Sequence, residues 1–163
     1  MSKFAIEIKW AIIFTVLSLL WMFFEKAMGW HGEHIEQHAL YTNFFAIPAI
    51  IVYFLAIRDK RENFFNGAMN WKQGFLSGAI VSIIVAVLSP LAQYITHVYI
   101  TPEYFENMIA FRTENDLMKI EMAKEYFSLS TYMLQSVFFA LSAGIVISAI
   151  VALFLKRNPK TEV

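Results

Sequence analysis

From Gly74 to Ile95 the chain carries no charged residue, and a helix needs about 20 such residues to cross the hydrocarbon core of a bilayer. This run, bounded by Trp71 and Tyr99, constrains the fold more than any other stretch. Three further apolar runs accompany it in a chain of 163 residues, 58% hydrophobic and 16% charged. Soluble domains are about half apolar and about a quarter charged. A chain this short cannot bury four such runs against one another and still keep a polar surface, so the pattern predicts membrane spans.

Small side chains predict how two of the spans meet. Gly74, Gly78, Ser82 and Ala86 recur every fourth residue, and Ser136, Ala140, Gly144, Ser148 and Ala152 repeat that spacing in the last apolar run. Small strips let helix backbones approach closely, so these two spans are expected to pack as an antiparallel pair. Farther along the first of them, Ser89, Gln93 and His97 share one face. Pro90 lies beside that face, removes a helical hydrogen bond and is expected to kink the rod.

In chain order, the expected spans are about 8–28, 40–57, 72–98 and 130–155 within a single domain, 1–163. The first has a basic start and an apolar core, as a signal peptide would. Bulky Trp21, Phe23 and Phe24 and the charge of Glu25 stand where a cleavable peptide is less encumbered, so it reads as a retained helix. The second contains Pro48 and stops at Arg58-Asp59-Lys60-Arg61-Glu62. A long connection, 100–128, separates the last two spans. Thr101-Pro102-Glu103 resembles a helix start, with threonine as the cap. The apolar spacing that follows predicts one or two amphipathic helices on the membrane surface or folded over the bundle. A soluble extension of the fourth span is the alternative.

Basic residues set the expected orientation. With four spans, Lys3, Lys9, Arg58, Lys60, Arg61, Lys72, Lys156, Arg157 and Lys160 share one side, and Lys26, Arg112, Lys119 and Lys124 the other. Nine against four puts both termini in the cytoplasm. The acids are distributed four inside and nine outside, so the outer face is acidic and carries every histidine. A faint repeat, Phe44 to Val52 against Phe138 to Val146 and Val16 to Leu20 against Val87 to Leu91, is what a duplicated helical hairpin would leave.

Few residues carry chemistry. The chain has no cysteine, which excludes disulfides, thiolate metal sites and cysteine nucleophiles, and its formal net charge of zero points to no nucleic-acid partner. His31, Glu33, His34, Glu36 and His38 form the densest cluster. If helical, this segment sets His34 and His38 one turn apart on one face, as two ligands of a divalent metal would lie; His31 and His97 are further candidate ligands. The plainer reading, a solvated interfacial loop, is the one the sequence favours. Ser89 and Gln93 are candidates to line a polar cavity, although interhelical hydrogen bonding is the simpler role. Glu25 and Glu7 read as residues close enough to the interfaces to reach water, with Lys3 and Glu7 spaced to pair.

Tyr41-Thr42-Asn43-Phe44-Phe45, Leu55-Ala56-Ile57-Arg58-Asp59-Lys60-Arg61, Trp71-Lys72-Gln73-Gly74-Phe75-Leu76-Ser77-Gly78 and Thr101-Pro102-Glu103-Tyr104-Phe105 together resemble a family of small bacterial inner-membrane proteins of unknown function with four predicted spans. The resemblance implies this topology and the uncleaved first helix, and it implies no substrate, cofactor or catalytic residue. Two classes of function remain. The favoured one is a non-enzymatic inner-membrane component, with no cofactor, that binds a lipid, a small solute, a second copy or another membrane protein. The other uses the outward histidines and acids to hold a divalent metal for sensing or for hydrolysis. Hydrolysis needs three placed ligands and a general base, and the spacing secures two histidines at most.

Overall fold

The computed structural model describes residues 3–157, and Lys160, counted among the inner basic residues, lies outside them. Helices α1 (Ala5–Ala27), α2 (Ile35–Tyr41), α3 (Ala46–Asn63), α4 (Trp71–Ile95), α5 (Tyr104–Glu114), α6 (Ile120–Tyr126) and α7 (Leu129–Leu155) make an all-α protein. Among the described residues the isolated bridge formed is Met69 with Arg157. Four helical segments are long and apolar enough to cross a membrane, Ala5–Ala27, Ile35–Asn63, Trp71–Ile100 and Leu129–Leu155. The second exceeds the expected 40–57 at both ends. A 3-10 turn, Thr42–Phe45, joins α2 to α3, and the charged run from Arg58 to Glu62 continues the helix to Asn63. Pro48 lies in the first turn of α3, a position where helices tolerate proline. Pro90 lies inside α4, and the change from α geometry comes later, in the π turn Thr96–Ile100.

The chain forms two compact units, one of residues 1–14, 47–87 and 138–163, the other of residues 15–46 and 88–137.

In the first unit α4 and α7 meet at their small residues. A Cβ placed on Gly78 would stand 2.6 Å from Ser148 Cβ, and one on Gly144 would stand 2.7 Å from Ser82 Cβ. Gly74 approaches Ala152, where an added Cβ would lie 3.2 Å from its methyl. Both serines are fully buried, with Ser82 donating to Gly78 O at 2.9 Å and Ser148 to Gly144 O at 2.5 Å, so neither leaves an unpaired hydroxyl in the seam. Ala86 is buried on the same face and Ala140 packs on the core of Ala11, Tyr53, Ala56, Val81 and Val85.

Glu7 departs from expectation. Rather than reaching water or pairing with Lys3, it is 1% exposed and bonds Lys60 Nζ at 3.0 Å and Ser77 Oγ at 2.8 Å. Lys60 completes its shell on Lys3 O at 2.6 Å and on the face of Phe64. A buried carboxylate needs a fixed partner, and an ammonium arriving from α3 meets it without a surface rotamer to order.

In the second unit α5 and α6 pack with α2 around Ile35, Tyr104, Met108, Ala123 and Phe127. The long connection therefore holds two helices, and α7 starts separately at Leu129 after a break where Ser128 Oγ lies 3.0 Å from Thr131 Oγ1. Thr101 does not cap α5. The helix begins later, behind Glu103 with no side-chain cap, and Thr101 Oγ1 is buried without a partner among the described residues.

Candidate functional site: a buried glutamate between two histidines

The site begins with the way α1 ends. Trp30 N bonds Glu25 O at 3.1 Å and Gly29 N bonds Lys26 O at 2.9 Å, the paired bonds of a Schellman stop. Gly29 takes φ +79°, a left-handed conformation that a Cβ would strain. Trp30 then folds edge-on against Phe24 at 5.6 Å, the apolar contact that accompanies such a stop. The chain reverses there. His31 is thereby carried back onto Glu25, a residue of the last turn of α1.

Glu25 has no exposed surface. Its Oε2 lies 3.0 Å from His31 Nε2 and 3.4 Å from His38 Nε2, and its Oε1 accepts from Trp21 Nε1 at 2.5 Å. One donor atom each from Glu25, His31 and His38 falls within 4.8 Å of the others. The carboxylate thus holds two imidazoles from different local elements, His31 from the turn and His38 from α2.

Tyr104, from the start of α5, closes the cluster. Its ring centroid is 5.1 Å from those of both His31 and His38 and 5.2 Å from that of His97. Its hydroxyl lies 3.2 Å from that of Tyr132. Burial pushes the Tyr104 phenol far above the ordinary tyrosine range, so it remains a neutral hydrogen-bonding group. Asn107, one turn along α5, donates from Nδ2 to His31 O at 2.9 Å, fixing the backbone of one histidine while Tyr104 packs on its ring. Beside the cluster opens a cavity of about 310 Å³ lined by Lys26, Ala27, Gly29, His31, Gly32, Glu33 and Glu103. Lys26 and Glu103 pair across 3.4 Å at its edge.

The structure brings together two of the histidines singled out from sequence, His31 and His38, and does not bring His34 to them. Helix α2 starts at Ile35, so His34 is its exposed N-terminal neighbour and the one-turn spacing to His38 is not helical. His97 shares Tyr104's ring but bonds Gln93 Oε1 through Nε2 at 3.1 Å, and it is not among the three converging donors. Ser89 lies 3.1 Å from Ser136 across α4 and α7. Gln93 is engaged by His97, so both candidate cavity residues take part in hydrogen bonds. Glu33 and Glu36 are exposed.

Sequence reasoning missed Glu25. A signal existed, since a carboxylate in the last turn of an apolar helix, followed four residues later by glycine and six later by histidine, is costly unless the chain folds back to partner it.

These features define an all-α protein with four membrane-length helices and a buried Glu–His–His centre. The chain belongs to the family described as "Protein of unknown function (DUF4199)", which matches residues 9–157. No curated protein and no solved structure matches it.

Proposed function

We propose that the protein is a non-enzymatic, multi-pass component of the bacterial inner membrane that binds a small solute at the Glu25–His31–His38 centre. In this reading both termini are cytoplasmic and the cavity beside His31 opens outward. The observation that carries it is the complete burial of Glu25 within a span-length helix. An ionisable residue there is expensive to keep, and its usual justification is a site for a ligand, ion or proton. Orientation rests on the distribution of lysine and arginine. Exposed Leu20, Val87, Phe139 and Phe154 supply the apolar surface that lipid would cover.

Binding is favoured over turnover by the groups present. Acid–base hydrolysis needs a base free to reach the reacting atom, and the carboxylate of this centre already serves both imidazoles and Trp21.

The reading is tested by a membrane-impermeant thiol reagent on intact spheroplasts. Glu33→Cys, in the cavity wall, should label, and Lys72→Cys, exposed at the start of α4, should label only after the membrane is opened. Lys60 would make a poor reporter because it is buried. Labelling of Lys72→Cys but not Glu33→Cys in intact cells would reject the outward opening.

A further inference from the structure

We infer that the ligand of this centre is a divalent transition-metal ion of the zinc class, held by Glu25, His31 and His38. The inference rests on reading the cluster as a binding site and names its occupant. A tetrahedral ion with ligand bonds of about 2.0–2.2 Å holds neighbouring donors about 3.4 Å apart. Glu25 Oε2 stands 3.0 Å from His31 Nε2 and 3.4 Å from His38 Nε2. Two of the three separations are thus close to the one an ion would impose, and all three ligand atoms lie within 4.8 Å of one another.

Neighbouring groups hold parts of the cluster in place. Trp21 fixes the carboxylate through Oε1, Asn107 fixes the backbone of His31, and Tyr104 packs on both imidazole rings. Ligand orientation held by surrounding groups is what turns convergent side chains into a metal site. Three protein ligands leave a fourth position. His31 belongs to the cluster and also to the cavity wall, which sets the cavity next to the centre. His31 Nδ1 is buried with no partner among the described residues, a polar atom that water entering with the ion can satisfy. Glu33 and Glu103 line the same cavity against the single cation Lys26, which pairs with Glu103, so the excess charge there is negative and favours entry of a cation.

The donor set also limits which ion. Two imidazole nitrogens and one carboxylate oxygen suit zinc and its first-row neighbours, whereas magnesium and calcium prefer oxygen-only shells. This assignment differs from a pair built on His34 and His38, because it excludes the exposed His34 and requires Glu25.

Calorimetric titration of metal-free protein in detergent decides the matter. Zinc should bind saturably at one ion per chain, and magnesium should produce no comparable binding. His31→Ala and His38→Ala should each weaken zinc binding by at least about tenfold, since even supporting residues of metal sites have effects of that size. His34→Ala should leave it unchanged. Absence of zinc binding by the wild type, or undiminished binding by the His31 and His38 variants, would overturn the inference. If those variants do not fold, cobalt(II) on the wild type gives the answer: intense visible bands of a four-coordinate ion, displaced by zinc, support the site, and only the weak bands of hydrated cobalt refute it. Outward labelling of Glu33→Cys does not depend on zinc. Protein that labels but ignores zinc loses the metal and keeps the outward opening; protein that binds zinc but labels from the inside keeps the metal and loses that orientation.

Discussion

Glu7 and Glu25 are both carboxylates near the ends of α1, and burial gives them different partners. Glu7 meets an ammonium and a hydroxyl, so its charge is neutralised inside the first unit by Lys60 with Ser77 in support. Glu25 meets two imidazoles, which can exchange a proton or bind a cation, and an indole N–H, which only donates. Removing one member of the Glu7–Lys60 pair strands the other charge out of water. Glu7→Ala should therefore destabilise the protein by about 3–5 kcal/mol, as breaking buried ion pairs does. The double variant Glu7→Leu with Lys60→Met should lose less than Glu7→Ala alone, because no unpaired charge remains. Unfolding midpoints in detergent would show this; a double variant as unstable as the sum of its singles would mean that the two side chains act independently.

Among the elements, the seam of α4 with α7 depends on the absence of side chains at two positions. Glycine inside a helix ordinarily costs about 0.5–1 kcal/mol relative to alanine, so Gly→Ala in a helix usually stabilises. Here the sign should reverse. The added methyl at Gly78 or Gly144 would meet the Cβ of Ser148 or Ser82 at 2.6 or 2.7 Å, and that atom cannot retreat without moving its backbone. Gly78→Ala and Gly144→Ala should both lower the thermal midpoint, and Gly78→Leu and Gly144→Leu should cost about 1–3 kcal/mol as overpacked cores do. Val87→Leu, on an exposed position of α4, provides the control and should change little. Equal midpoints for Gly78→Ala and wild type would show that the helices can separate freely there.

For the whole molecule, an even number of spans returns the chain to the side where it began. The basic connection from Arg58 to Lys72 shares that side with the termini when Ile35–Asn63 and Trp71–Ile100 both cross. Under the proposed orientation, a fluorescent protein fused after Val163 should glow in the cytoplasm, and alkaline phosphatase at the same position should be inactive. Active phosphatase would require an odd number of crossings or the opposite orientation.

Hydropathy and small-residue spacing determined the four membrane-length segments, because length without charge and close helix approach are written locally, in runs and in four-residue periods. The same local signals revealed helices between the last two spans. They did not reveal Glu7 with Lys60 or Glu25 with His31 and His38. Each of those groups joins residues that are ordinary in their own windows, and a charge near the end of an apolar helix reads as solvated until the fold removes the water. Tertiary structure decided which carboxylate met an ammonium and which met imidazoles. For Glu25 the physical reason is the left-handed turn at Gly29, which ends α1 and returns His31 to its last turn, while α2 carries His38 to the same oxygen.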